Sequence, residues 1–266
     1  MDDPQVNDEA VFISPASHPL AIGDVDEEPQ PPQEVSAVLS ILTDAGINCC
    51  FVQELSLIYY GTTRLQRDLV LCIQDEQFER AVELFTSHGD ILQPCGANPL
   101  SSPNLLNHKY PRFKAIGWAT FWLLVPGTYC HLNVEPESIE WSLGGLPYPK
   151  LSVYVQSAID SKSLLDLEEL IDGMDLSEEW GHKTLDLEGH TDTQWLEDRV
   201  KAFRDDGVDE MFIWVDPTPV SRREIWTFSV RNKQKRLGWK YPPEIYSSRY
   251  RKHGSKDPRS VQRPGV

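Results

Sequence analysis

The chain has 266 residues, 40% of them hydrophobic, which is enough to fill one large core or two small ones. It carries 41 Asp and Glu against 25 Lys and Arg, for a formal net charge of −16. Its longest apolar run, TFWLLV at 120–125, is far shorter than the roughly 20 residues that a membrane-spanning helix needs. The acidic MDDPQVNDEA at the start also lacks the pattern of a secretory signal. These features argue against a membrane partner and against secretion.

The first 33 residues predict a disordered, acidic, proline-rich arm. They contain six prolines and no Lys or Arg. Each proline restricts its own backbone and that of the residue before it, as in EEPQPPQ at 27–33. With so little apolar surface to bury, this arm is not expected to fold by itself.

From residue 34 onward the apolar residues predict alternating helices and strands. Glycines mark the ends of the helices, and Asp75 is the expected N-cap of the third helix. RDLVLCI has the nearly continuous apolar run of a strand that is buried on both faces. The predicted elements are a helix in EVSAVLSILTDAGI (34–47), a strand in CCFVQ (49–53), a helix in ELSLIYYG (54–61), a strand in RDLVLCI (67–73) and a helix in DEQFERAVELFTSHGD (75–90).

Residues 90–110 are rich in turn formers, and a hairpin with strands at 112–116 and 120–125 follows, with Gly117 in its turn. HLNVEPES at 131–138 is predicted to continue this hairpin as a further strand. The later segments predict helices, including one that ends at Gly173 and one capped by Asp175. The element order favours an α+β fold, with a small mixed β-sheet flanked by helices, over residues 34–215.

The carboxy-terminal segment, 216–266, differs in charge from the rest of the chain. Residues 219–266 hold 13 Lys and Arg against 3 Asp and Glu, whereas residues 1–218 hold 12 against 38. A helix is predicted from the spacing of Ile225, Phe228 and Val230, and an aromatic, basic strap, WKYPPEIYSSRY, follows at 239–250. We expect this extension to pack on the acidic body of the protein. The alternative is a nucleic-acid partner, because cations with interleaved aromatic rings suit single strands.

The five cysteines, an odd number without a CxxC pair, are most simply explained as reduced and buried. Reduced cysteines indicate an intracellular protein. We therefore expect a cytoplasmic location, with the nucleus as the alternative.

Several stretches resemble a known family: LIYYG (57–61), YPRFK (110–114), GLPYPKL (145–151), DLEELIDGMDLSEEWG (166–181), SRREIW (221–226) and GWKYPPE (238–244). They are similar to a group of fungal proteins of the nucleotidyltransferase superfamily, the polymerase-β-like fold, that have no assigned activity. The likeness covers residues 34–258. The stretches are specific as family markers and say nothing about chemistry.

The resemblance implies a site that this chain has only in part. In the superfamily a Gly-Gly or Gly-Ser turn opens a short helix, and the next strand carries two carboxylates, at i and i+2, that hold Mg²⁺. Asp68 matches the first carboxylate, and Val70 replaces the second. In the turn, residues 53–56, only Ser56 keeps the family character. The third carboxylate would be Glu135, on a strand face shared with His131 and Asn133.

One firm carboxylate is too few for a two-metal site, so the sequence favours a catalytically degenerate protein, a pseudoenzyme, that binds a protein or small molecule. Asp68 is the one catalytic candidate, and a ligand pocket is expected from Ser56, Asp68, His131, Asn133 and Glu135, with no metal and no cofactor. A first alternative is an active Mg²⁺-dependent nucleotidyltransferase whose missing ligands come from Glu54 or Glu135. A second is an RNA-associated accessory protein that uses the basic extension.

Overall fold

The computed structural model describes residues 33–62, 64, 67–97 and 106–233. Nearly all of the predicted arm, and the whole strap from 239 onward, lie outside these residues. The helices in the described part are α1 (Gln33–Thr43), α2 (Glu54–Tyr59), α3 (Phe78–Ser87), α4 (Gly127–Cys130), α5 (Leu151–Asp160), α6 (Leu164–Met174), α7 (Glu178–Thr184), α8 (Thr193–Asp205) and α9 (Arg222–Arg231). The strands are β1 (Cys49–Phe51), β2 (Leu69–Ile73), β3 (Leu92–Cys95), β4 (Arg112–Ala115), β5 (Phe121–Pro126), β6 (Ile139–Trp141) and β7 (Pro147–Pro149).

Five of these strands form one mixed sheet in the order β1-β2-β5-β4-β3. The central pair, β2 and β5, is parallel, and the other neighbours are antiparallel. Strands β6 and β7 form a separate antiparallel ribbon beside β1. The predicted α+β class, with a small mixed sheet flanked by helices, is therefore confirmed.

The core forms where the apolar strands of the sheet meet the helices that flank it. All five residues of β2 are buried, as the continuous apolar run predicts for a central strand. The ring of Phe85, from α3, packs edge-on against Phe113 and Trp122 of the sheet. At the β1 edge, Tyr148 of β7 stacks on Tyr59 of α2 at 3.9 Å between ring centroids. These aromatic contacts join elements that are far apart in the sequence.

The local predictions for residues 34–90 agree with the structure, apart from details of the helix ends. α1, β1, α2, β2 and α3 each lie within a segment that was assigned to that type of element, to within a residue. The hairpin of β4 and β5 is also present, and Gly117 in its turn has φ +85°. This backbone conformation favours glycine because it has no Cβ.

Two segments beyond residue 90 differ from the prediction. HLNVEPES is not a strand, because β5 leads into the short helix α4 and His131 then takes a left-handed backbone conformation with φ +54°. Conversely, β3 lies in the region that was expected to consist of turns. Its residues Leu92–Cys95 become a strand by pairing with β4, a partner about 20 residues further along the chain.

Three predicted helix ends, at Asp75, Gly173 and Asp175, are also wrong. Asp75 does not cap α3. Its carboxylate accepts hydrogen bonds from the backbone N–H and the hydroxyl of Thr128, at 3.1 and 3.3 Å. Helix α6 continues through Gly173 to Met174, and its C-cap residue Asp175 has φ +52°. Helix α7 is capped by Ser177, whose hydroxyl accepts from the backbone N–H of Trp180 at 3.2 Å.

The last described helix, α9, packs on the helical part of the body. Ile225, Trp226 and Val230 are buried, but Phe228, which was predicted to share their face, is 68% exposed. The indole of Trp226 lies against Gly181 of α7, where a Cβ would be only 2.1 Å from the ring. No helix of the described residues is both long and apolar enough to cross a membrane.

Candidate functional site

Asp68 lies immediately before β2, and its closest charged partner is a cation. The carboxylate accepts two hydrogen bonds from Arg112 of β4, from Nε to Oδ2 at 2.6 Å and from Nη2 to Oδ1 at 3.0 Å. The same guanidinium also donates to the carbonyl oxygen of Gly96 at 3.3 Å. A two-pronged pair of this kind is the strongest arrangement that arginine makes with a carboxylate.

The register of the sheet explains how Arg112 reaches Asp68. Arg112 is paired with Leu123 of β5, and Leu123 is paired with Val70 of β2. Because residues paired across a sheet, and residues two apart along a strand, face the same side, Asp68 and Phe121 share this face. The guanidinium of Arg112 lies 3.8 Å from the centroid of the Phe121 ring. Arg112 therefore crosses over β5 on an aromatic platform to reach Asp68.

The ion pair occupies the place where the resemblance would put a metal ion. The side chains of Asp68 and Arg112 are only 12% and 10% exposed, so their two charges neutralise each other in a largely dry setting. The hydrogen bonds that Arg112 donates to Asp68 raise the pKa of Arg112 above its usual value, which keeps the guanidinium protonated. A divalent cation at this carboxylate would have to displace that guanidinium.

The positions that would supply further carboxylates are apolar. Val70 and its neighbour Leu123 are each 2% exposed, and the residue of β5 level with Asp68 is Phe121. Within residues 33–62, 64, 67–97 and 106–233, no group of three or more His, Cys, Asp and Glu is placed to hold a metal ion. The residues that are present therefore do not fit a Mg²⁺ site.

The turn before α2 keeps a glycine-like backbone without a glycine. Gln53 has φ +55° and ψ −131°, a conformation that costs most residues of order 1–3 kcal/mol. Val52 donates its backbone N–H to Val70 O at 3.0 Å, so this turn lies at the same end of β2 as Asp68. The amide of Gln53 exchanges two hydrogen bonds with that of Asn107, at 3.2 and 3.0 Å. These bonds hold the side chain over the turn.

The hydroxyl of Ser56 faces the interior. Ser56 is fully buried, and its Oγ donates to the carbonyl oxygen of Phe51 at 2.5 Å. It thus closes the turn between β1 and α2 and is not directed at a ligand. Glu54, half-buried in the first turn of α2, would repel rather than attract a phosphate.

His131, Asn133 and Glu135 do not form the predicted strand face. The carboxyl end of β5 is level with Ile73, at the end of β2 away from Asp68, and His131 follows it after α4. Five strand residues separate these two ends of the sheet, about 16 Å. Asn133 and Glu135 are exposed. Among the described residues, no hydrogen bond or ion pair joins any two of Ser56, Asp68, His131, Asn133 and Glu135.

His131 instead connects α4 with the start of α8. Its Nε2 lies 3.1 Å from Oδ2 of Asp192, the N-cap residue of α8, and its ring meets the Trp195 ring edge-on. The Asp192 carboxylate also accepts from the backbone N–H of Trp195 at 3.0 Å. The backbone bond from Trp195, followed by the interaction with His131, lowers the pKa of Asp192 below its usual range. This is the arrangement of a structural cap.

Sequence reasoning missed Arg112, which bonds to Asp68, and Asn107, which bonds to Gln53. Arg112 belongs to YPRFK, which attracted notice only as a family marker. The alternation of the β4 strand places Arg112 and Lys114 on one face, but no sequence signal tells which neighbouring strand that face serves. Asn107 lies in a 3₁₀ turn next to residues outside the described part of the chain.

The cations of the extension that the structure describes are paired with acids of the body. Arg222 contacts Asp160 and Asp186 at 2.6 and 2.7 Å, and Arg223 pairs with Glu188. Residues 219–233 contain two further cations, and each of them also has a partner. These are Arg231 with Glu178 at 2.5 Å and Lys233 with Asp175 at 2.7 Å.

A scan of protein-family models finds none that matches this chain, and a search of curated proteins finds no significant match. The likeness to the nucleotidyltransferase superfamily thus stays a prediction from the stretches quoted above. The function of the site is therefore inferred from the chemistry and arrangement of its side chains.

Proposed function

We propose that this protein is a catalytically degenerate member of the nucleotidyltransferase-like fold that serves as a binding or interaction module. The observation that carries the proposal is the two-pronged ion pair between Asp68 and Arg112. Its cation stands where nucleotide transfer would need Mg²⁺, and Val70 stands where it would need the second carboxylate. A carboxylate neutralised in this way supports the sheet and is withdrawn from metal chemistry.

Two further features support this proposal. Gln53 takes a glycine-like conformation in the turn before α2, within the segment 53–56 that matches the superfamily's glycine-containing turn. A turn that keeps this shape, while its residues have become unsuited to phosphate, fits a fold that was retained after its reaction was lost. The packing of Val70 and Leu123 in the core fits the same history.

The competing function, Mg²⁺-dependent nucleotide transfer, makes the opposite demand on Asp68. Its carboxylate would have to leave Arg112, and acidic groups that lie elsewhere in the described structure would have to join it. Glu54 and Glu135 were the sequence candidates for that task. Glu135 is exposed in the segment that follows the end of β5 away from Asp68. Glu54 is half-buried in the first turn of α2.

A thermal-shift titration with Mg²⁺ and ATP or CTP tests the proposal. We expect the melting temperature to change by less than about 1 °C at millimolar nucleotide. A ligand raises the melting temperature only if it binds the folded protein, and a degenerate site would not bind nucleotide. Asp68→Asn would be measured beside Asp44→Asn, a matched change at an exposed acid outside the site. A rise of several degrees that Asp68→Asn abolishes and Asp44→Asn keeps would refute a degenerate site.

A further inference from the structure

Five large apolar side chains are exposed in two segments that are tied together by an ion pair between Lys162 and Asp216. Leu164 and Leu165 open α6 and are 45% and 69% exposed. Met211, Phe212 and Trp214 precede α9 and are 71%, 51% and 67% exposed. Single exposed apolar residues are ordinary, whereas a cluster marks a surface that binds something. We call these five residues the apolar ridge.

Lys162 fastens the two segments together. Its Nζ donates to the carboxylate and the carbonyl oxygen of Asp216, both at 2.8 Å, and to the carbonyl oxygen of Thr218 at 3.1 Å. Lys162 is two residues before Leu164, and Asp216 is two residues after Trp214. The ridge is therefore held at a fixed place on the body.

The segment behind the ridge is extended and borders a groove. From Ile213 to Thr218 the residues alternate between half-buried and exposed, the pattern of an extended chain lying on a surface. Its inner residues Ile213, Val215 and Pro217 meet Val200 of α8 and enclose a groove of about 200 Å³. Trp214 stands on the outer side, next to this groove.

The surroundings of the ridge are acidic. Residues 193–217 contain seven Asp and Glu against three Lys and Arg. Glu197 and Glu210 line the groove itself, with Arg204 bound to Glu210 at 2.5 Å. Such a surface repels nucleic acid and attracts a cationic, aromatic polypeptide.

We propose that the carboxy-terminal segment 234–266 of this same chain docks on the apolar ridge. This segment carries nine Lys and Arg against two Asp and Glu, and it contains Trp239, Tyr241, Tyr246 and Tyr250. It thus has both the charge and the rings that the ridge is suited to bind. Because it is covalently attached, its effective concentration at the surface is in the millimolar range.

The length of the segment permits this docking. A domain of about 200 residues is roughly 45 Å across, and 33 extended residues span about 100 Å. Lys233, the last described residue, is fixed to Asp175 and Leu176 O at 2.7 and 3.0 Å, so the segment starts from a defined point. The docking does not depend on whether Asp68 binds nucleotide. An experiment that refutes the proposed function would therefore leave the docking proposal standing, and the reverse also holds.

The other exposed aromatic surface near this starting point suits the segment less well. Phe228 lies on the outer face of α9 between Arg223 and Arg231. The lining of that face holds one Glu and two Arg, each Arg paired with an acid of the body, whereas the groove beside Trp214 holds two Glu and one Arg. The groove therefore suits a segment with a net charge of +7 better. Phe228 is therefore the matched control for Trp214, since the two rings are exposed almost equally, at 68% and 67%.

Limited trypsin digestion of the full-length chain tests the docking, because the segment is rich in cleavage sites. We expect the double variant Leu165→Ala/Trp214→Ala to be cut within residues 234–266 about tenfold faster than the native chain, since loss of a central apolar anchor typically costs at least that factor in binding. Phe228→Ala should be cut at the native rate. Equal rates for the native chain and the double variant would overturn the proposal.

Photo-cross-linking identifies the contact itself. With a benzophenone-bearing phenylalanine in place of Trp239, illumination should join residue 239 to segment 211–217 or to Leu164 and Leu165. A mixture of isotope-labelled and unlabelled chains should give cross-links within single chains only. Mixed cross-links would mean that a second copy supplies the segment, and cross-links elsewhere on the body would mean that the ridge is not its site. Either result contradicts the proposal.

Discussion

At the scale of the single residue, Asp68 and Arg112 hold each other across the middle of the sheet. Each side chain loses most of its contact with water. The two hydrogen bonds between them and the attraction of the opposite charges compensate for this lost hydration. The ring of Phe121 beneath the guanidinium adds a favourable cation–π contact and keeps the arginine flat against the strand. The ion pair links the start of β2 to β4, and it stabilises the sheet more than either charged side chain would alone.

A double-mutant cycle measures this coupling. We expect Asp68→Asn and Arg112→Met each to lower the free energy of unfolding by about 2–4 kcal/mol, because each leaves the partner partly buried and unpaired. The double variant should lose less than the sum of the two, with a coupling of about 1–3 kcal/mol from urea unfolding. Simple additivity would mean that the two charges act independently.

At the scale of the element, the helical part of the body depends on close contacts made through glycine. Gly181 lets α7 approach the indole of Trp226 from α9, and Gly173 lets α6 approach the carbonyl oxygen of Tyr60, where a Cβ would be 2.4 Å away. Neither glycine has a positive φ, so each is required by packing and not by backbone conformation. Helix positions of this kind cannot accept alanine, even though alanine is the better helix former.

Substitution of Gly181 tests this interface. We expect Gly181→Ala to lower the free energy of unfolding by about 3 kcal/mol, since the added methyl forces the Trp226 ring or a helix to move. Gly89→Ala, at a glycine with nothing within 4 Å of a built Cβ, should stay within about 0.5 kcal/mol of the native value. Similar stabilities for the two variants would show that α7 and α9 do not pack as closely as described.

At the scale of the whole molecule, the core contains many tyrosines whose hydroxyls have left water. Burial raises the pKa of Tyr129 to about 12 and raises the pKa of Tyr59, Tyr60, Tyr110 and Tyr154 as well. Tyr59, Tyr60 and Tyr129 donate hydrogen bonds within the fold, as when Tyr60 donates to Pro149 O at 2.6 Å. The folded protein therefore keeps these protons at a pH where the unfolded chain releases them.

This difference makes the fold sensitive to alkali. Below pH 10 the tyrosines are protonated in both states and contribute no pH dependence. Between about pH 10 and 12 the unfolded chain loses the protons first, so the free energy of unfolding falls as pH rises. We expect the melting temperature to drop by at least about 5 °C between pH 9 and pH 11, and Tyr129→Phe to reduce that drop. A melting temperature that stays constant over this range would contradict the burial of these hydroxyls.

Elements that are determined by residues close together in the sequence were predicted more accurately than elements that depend on distant partners. α1 and the β4–β5 hairpin arise from periodicity and glycine within about 15 residues, and they were predicted nearly in place. Strand β3 and the turn at His131 were missed, because the first needs a partner strand and the second follows a short helix that no period marks. For the candidate site, Asp68 and Val70 were correctly placed two residues apart at the start of β2, whereas Arg112 was not connected with them at all.

The sequence by itself determined the α+β class, the central apolar strand that follows Asp68, and the absence of a second carboxylate at Val70. These depend on residue type and spacing within one element. Only the tertiary structure decided what stands beside Asp68, because the answer depends on the pairing of β4 with β5 and of β5 with β2. A side chain 44 residues away in the chain, crossing a neighbouring strand on an aromatic ring, is brought there by the register of the whole sheet.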